Sequence, residues 1–357
     1  MLLRCTHITD LTYSELVCES VMELRMAPRQ EMDQHRLSFD LAIGPETNVT
    51  SYFDWLGNTV HAFTISRFHR HIQIVATSVV ETDRPRKEPE RFKDRWPLSP
   101  DQLPYELFDF LQFGGPVVDC PALRELARGI SATPGDSAGE LALRLMYLIE
   151  EKFTYEKGIT SAASTITEVL DHGKGVCQDF THLMIGLARC LGIPARYVSG
   201  LVHPDASRYR GYTQTHAWAE LFFPSAGWVG FDPANNCIVG GNFIKVAIGR
   251  DFRDVPPNKG IYRGAAKETI DVRVHTEVLP AIPPELVAEK VRKLDIPSFS
   301  QGSHGLLEFS ALGHQVQQQQ QSSVPRDRVT CGGVQCGGGR CGVRCGGVGS
   351  RSVVRAG

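Results

Sequence analysis

Apolar and polar residues alternate at period two through much of the first eighty positions. The clearest runs are "RLSFDLAI" (36–43) and "HIQIVATSVV" (71–80), with "LGN" (56–58) as a turn signal between such runs. A period of two sends successive side chains to opposite faces, so such a chain buries one face only by forming strands. Residues 1–82 are therefore expected to form an antiparallel β-sandwich or meander. The pattern stops at Asp83. "DRPRKEPERFKDRWPLSPDQLP" (83–104) is charged and proline-rich and reads as a linker or exposed connection.

A period of 3.6 takes over next. Ser137 and Glu140 fit a capping box, and Leu141, Leu145, Leu148 and Ile149 share one helical face. A second helix is expected to start near Cys177, with Phe180, Leu183, Met184, Leu187 and Leu191 as its apolar stripe. Gly192 closes it, and Ile193-Pro194 prevents continuation. "ARYVSGLV" (195–202) reads as a strand. "HAWAELFF" (216–223), "PSAG" (224–227) and "WVGFDP" (228–233) read as a hairpin. Helices followed by antiparallel strands predict an α+β domain over 105–280. Beyond it, "HQVQQQQQSS" (314–323) is low in complexity. Residues 331–357 repeat Cys-Gly and Arg-Gly words, so 281–357 is expected to be a largely disordered tail.

Composition narrows the function. A net charge of −2 with interspersed signs offers no strong basic field for nucleic acid or a membrane surface. No apolar run reaches the roughly 18 residues that cross a bilayer, and "MLLRCTHITDLTYS" has no apolar signal core. Cys5, Cys18, Cys120, Cys177, Cys190 and Cys237 show no paired spacing, which suggests a reducing, cytoplasmic setting.

"GKGVCQDFTH" (173–182) places Cys177 between a glycine-rich approach and a helix start. The helix N-terminus and Lys174 favour a thiolate, while Asp179 opposes it, so the cysteine needs a partner. His216 opens a later strand, and Asp232 ends the strand that returns beside it. An imidazole that takes the thiol proton, oriented by a carboxylate, is the logic of nucleophilic catalysis. Each residue alone has a plainer role: a packing cysteine, a surface histidine, an Asp-Pro turn. The ordered combination carries the weight. One geometric condition follows. Direct pairing of Phe223 with Trp228 would leave His216 and Asp232 on opposite faces, so the site needs a three- or five-residue connection, a bulge, or departing strand ends.

"GKGVCQDFTHLMIGLARCLGIPARYVSGL" and "THAWAELFFPSAGWVGFDPANN" together resemble the catalytic core of the bacterial transglutaminase-like superfamily, often described as cysteine proteases. "VAIGRDFRDVPPNKGIYRG" (246–264) matches the stretch that follows in that family. "ELRMAPR" (23–29) and "DWLGNTV" (54–60) look like its N-terminal domain. The resemblance spans about residues 1–278. It implies a papain-like α+β core with the family triad on Cys177, His216 and Asp232. Thr181 stands where alanine is usual in the family.

The chemistry implied is a thioester formed from a peptide or isopeptide amide of a protein or peptide substrate. Water then completes hydrolysis, or an amine completes transfer. A non-catalytic module that binds a peptide or partner is the alternative. No cofactor or metal is expected. His69 and His71 lack a third ligand, the tail cysteines Cys331, Cys336, Cys341 and Cys345 are poorly spaced for zinc, and no acidic loop suits calcium. Tyr155 is a candidate for lining the site. Trp218 and Trp228 wall an acyl slot or fill the core, and His182 reads as a structural hydrogen-bonder.

Overall fold

The computed structural model describes residues 1–204, 210 and 213–300, and the backbone of 314–318. The N-terminal alternation becomes six strands: β1 (Leu2–Val17), β2 (Glu19–Leu24), β3 (Gln34–Gly44), β4 (Val49–Phe53), β5 (Thr59–Ile65) and β6 (His69–Thr82). Strand β1 alternates half-buried and buried residues from Leu2 to Leu11, as a strand with one face on a core must. Four helices follow: α1 (Pro121–Arg128), α2 (Ala138–Lys152), α3 (Ile166–His172) and α4 (Cys177–Cys190). The Ser137 hydroxyl caps α2 by accepting the Glu140 N–H at 3.3 Å. Gly192, left-handed at φ 71°, follows the end of α4.

Short strands β7 (Thr154–Tyr155) and β8 (Lys174–Gly175) pair in parallel. A five-stranded sheet is built from β9 (Ala195–Val202), β10 (His216–Phe223), β11 (Gly227–Asp232), β12 (Cys237–Ile238) and β13 (Phe243–Gly249), in the order β12-β11-β10-β9-β13. Helix α4 packs on its inner face. Ala217, Ala219, Leu221 and Phe223 of β10 join Phe180, Leu183, Met184 and Leu187 of α4 in one buried cluster.

The last strands return to the N-terminal region. They are β14 (Asn258–Arg263), β15 (Glu268–Val278), β16 (Lys290–Lys293) and β17 (His314–Gln318). The two sandwich sheets run β15-β1-β6-β3-β16 and β17-β14-β2-β5-β4, around Leu11, Met22, Phe39, Phe63, Ile72 and Tyr262. The boundary expected at 280 is therefore corrected. Residues 258–278 pair with β2 and β1 and complete the sandwich, because those strands need partners for their backbone groups. Order also continues past 280, where β16 lies parallel to β3 and the backbone of β17 pairs with β14. The tail cysteines lie outside the described residues.

The connection 83–104 is likewise tied down. Trp96 donates its indole N–H to the Leu191 carbonyl at 2.7 Å, Phe92 packs against Phe223 with ring centroids 5.1 Å apart, and Arg84 pairs with Asp33 at 2.7 Å.

Sandwich and core share a seam. Leu3, Cys5, Val80 and Val272 of the sandwich pack on Leu201, Ile244 and Val246. The outer edge of β13 is finished by two side-chain amides. Gln34 accepts the Lys245 N–H at 2.8 Å and donates to its carbonyl at 2.8 Å. Asn58 does the same for Ile248, at 2.8 and 2.9 Å. An open strand edge templates association, so covering it protects the sheet. Nearby, Glu220 bridges Arg196 at 2.6 Å and Lys245 at 2.7 Å. Burial alone would raise its carboxyl, but Lys245 and then Arg196 bring it down to about 2.

Candidate active site

Three elements converge at one end of the five-stranded sheet. Cys177 is the first residue of α4 and is fully buried. The parallel β7–β8 pair brings Tyr155 level with Gly175 on the approach to it. Asp179 reaches back from the first turn, accepting the Val176 N–H at 2.8 Å and the Thr160 hydroxyl at 2.6 Å. Burial pushes its carboxyl up to about 6, against the pull of those two donors. Lys174 does not serve the sulfur as the sequence suggests. Its ammonium pairs with Glu156 at 2.7 Å in partly exposed surroundings.

The hairpin condition is met by its loop. Phe223 pairs with Gly227 rather than Trp228, leaving a three-residue connection, 224–226. Gly227 sits at φ 68°, the left-handed position that such a loop requires. The one-residue shift puts His216 and Asp232 on the same face. His216 Nε2 lies 2.7 Å from Asp232 Oδ2, and both side chains are completely buried.

The other face of the histidine belongs to Cys177, whose side chain is its hydrogen-bond partner. Burial alone would lower the imidazole. The Asp232 charge, then the Cys177 charge and the hydrogen bonds to both, reverse this and raise it to about 10. All three residues singled out in the sequence are thus brought together.

Trp218 and Gly200 complete the wall behind His216. Trp218 is fully buried, 5.3 Å from the Phe243 ring and 6.4 Å from the imidazole between centroids. Gly200 pairs with His216, and a Cβ there would sit 2.3 Å from the Trp218 ring. Trp228 lies elsewhere, under the Arg196 guanidinium at 4.1 Å. Both tryptophans belong to packing. His182 is structural: its Nε2 accepts the Phe252 N–H at 3.2 Å, and burial pushes it down to about 4. Thr181 donates its hydroxyl to the Cys177 carbonyl at 2.7 Å.

A cleft of about 700 Å³ opens beside the pair, lined by Phe153, Tyr155, Phe180, Arg210, Ala234 and Asn235 among others. Asn235 is the residue beside the pair that sequence reading missed. Its Nδ2 lies 2.7 Å from Asp232 Oδ2 and 3.3 Å from His216 Nε2. The signal was present in "FDPANN", since asparagine after an Asp-Pro turn is suited to local side-chain bonding. Among the described residues no group of three or more His, Cys, Asp or Glu could hold a metal. His69 lies 2.9 Å from the Ser20 hydroxyl and His71 2.8 Å from Asp10. No described helix is long and apolar enough to cross a membrane.

Residues 124–233 match the transglutaminase-like superfamily, and residues 3–81 match the bacterial transglutaminase-like N-terminal region. An uncharacterized protein of Mycobacterium tuberculosis is 34% identical over 297 residues, covering 78% of this chain and 92% of the relative. A protein-glutamine gamma-glutamyltransferase of Pseudomonas aeruginosa is 28% identical over 120 residues, 32% of this chain and 18% of that protein. The crystal structure of a candidate cysteine protease from Cytophaga hutchinsonii superposes with a TM-score of 0.64 at 21% identity, covering 80% of this chain and 94% of that one. That likeness shows the fold: mixed α+β, with a β-rich N-terminal region ahead of the core. By its matched regions and its mycobacterial relative, the chain belongs to the transglutaminase-like superfamily.

Proposed function

We propose that the chain is a thiol-dependent enzyme of peptide or isopeptide amides, with Cys177 as nucleophile, His216 as base and then acid, and Asp232 as the group that orients the imidazole. The observation that carries this is His216 held between a carboxylate at 2.7 Å and a thiol partner, all three buried. His216 already holds the proton drawn from the thiol, and sulfur attacks the amide carbon. The resulting oxyanion faces backbone N–H groups of the first turn of α4. The C–N bond breaks, the amine leaves with the proton from His216, and a thioester remains. Water then gives the acid. Cys177 is closed off from solvent, so an acyl group reaches the sulfur only through local opening.

A second reading has its own support. The named Pseudomonas relative is a glutamyltransferase, and an amine that attacks the same thioester gives transfer. The test is Cys177→Ala, followed for hydrolysis and for primary-amine incorporation across a peptide library. A loss of about 10³-fold or more is expected in whichever reaction the parent performs. An equal rate in mutant and parent removes the proposal. Running the parent with and without the amine separates hydrolysis from transfer.

A further inference from the structure

We infer that Asn235 is a positioning residue for the Asp232–His216 pair, and that the backbone of Arg210 sets its orientation. The inference rests on the triad reading above.

The bonding around Asn235 leaves one consistent orientation of its amide. The Arg210 N–H donates to Asn235 Oδ1 at 2.7 Å, so the oxygen end faces Arg210. The Nδ2 end then donates one hydrogen to Asp232 Oδ2 at 2.7 Å and the other to the Arg210 carbonyl at 3.3 Å. The reverse orientation would set two oxygens against each other at Asp232 and leave the Arg210 N–H facing an NH₂ group.

With both hydrogens spent in this way, the 3.3 Å approach of Nδ2 to His216 Nε2 is a packing contact. It leaves the imidazole free to donate Nε2–H to Asp232, the ring orientation that turns Nδ1 toward the sulfur. The main chain reinforces the hold. Asp232 Oδ1 accepts the Ala234 and Asn235 N–H groups at 3.0 and 3.2 Å. Asp232 Oδ2 is thus shared by the Asn235 amide and the imidazole, while Oδ1 is pinned by backbone.

Arg210 is braced from two further directions. Its guanidinium donates to the Ala234 carbonyl at 2.8 Å and lies over the Tyr155 ring at 4.9 Å. The placement of position 210 is in this way read out at the carboxylate. Without the Asn235 donor, Asp232 Oδ2 keeps the imidazole but loses the second contact that fixes the position of that oxygen.

The test uses ¹⁵N-histidine-labelled full-length protein. The His216 Nε2–H proton is assigned by its disappearance in His216→Gln, and its exchange with solvent is timed. Asn235→Ala accelerates this exchange about tenfold, the worth of one charge-assisted hydrogen bond. Asn235→Asp accelerates it further, because a second carboxylate then faces Asp232. A residue that merely filled space would give the opposite order, with the isosteric aspartate nearer the parent.

Should Asn235→Ala fail to fold, Arg210→Pro decides. It removes the N–H that anchors Oδ1, at an exposed position, and is expected to speed exchange a few-fold beyond Arg210→Ala, which keeps that N–H and loses the same guanidinium contacts. Exchange equal to the parent in a folded Asn235→Ala, or equal to Arg210→Ala in Arg210→Pro, overturns the inference, as does an aspartate variant closer to the parent than alanine. If instead Cys177→Ala keeps full activity while the exchange order holds, the enzymatic proposal falls and the positioning role stands.

Discussion

Two histidines meet α4, one at its N-terminal end and one within it, and both are buried out of contact with water. Their surroundings drive them apart. His216 has Asp232 at 2.7 Å and is raised to about 10. His182 accepts a backbone N–H, feels Asp251 only as a charge, and falls to about 4 under burial, with Arg189 and Arg253 adding to the fall. Burial alone makes a histidine neutral. A carboxylate in contact is what turns the same burial into a group that holds a proton. The two also load stability in opposite pH ranges. Relative to an ordinary 6.5, His216 contributes stability that is full below 6.5 and lost as pH rises through about 10. His182 contributes stability that is full above 6.5 and lost as pH falls toward about 4.

The sharpest way to break the contrast is Asp232→Asn. Without the carboxylate charge, His216 should fall below its ordinary value, as His182 does. Acyl-enzyme turnover should drop by about 10³-fold or more. Histidine ¹⁵N titration and the peptide-library assay check the two halves separately, and an unmoved titration would show that Asp232 does not set the shift.

Next in size is His182→Gln, read as urea unfolding from pH 7 to pH 4. The parent should lose on the order of 3 kcal/mol across that range through this residue, and the variant should lack that part of the slope. Parallel slopes would mean that His182 does not carry the acid sensitivity.

The smallest effect belongs to Thr181→Ala, which removes only the hydroxyl bond to the Cys177 carbonyl. Thermal midpoints should move by less than about 1 kcal/mol in equivalent stability, with both histidine titrations unchanged.

Much of this arrangement is legible in the residues. Alternation announces the sandwich strands, the Ser137 cap and Gly192 bracket helices correctly, and Cys177, His216 and Asp232 stand in chain order on helix, strand and strand. The hairpin register is not legible. Gly227 serves equally as the end of a turn or the start of a strand, and only its left-handed backbone decides. The return of residues 258–278 to the sandwich is hidden for another reason. Strand text shows a face to bury but not which distant edge accepts it. For Asn235 the local turn signal is present in the sequence, but its bonds to Arg210 are not, because the intervening sequence does not place the two side by side.

The amides of Gln34 and Asn58 dress the outer side of β13 where a sixth strand would otherwise dock. Two residues from one half of the chain therefore stand in for a whole secondary-structure element of the other. A hybrid that grafts this core onto a foreign leader would need both amides at matching heights. Lacking them, it would present a bare ribbon ready to recruit its own kind.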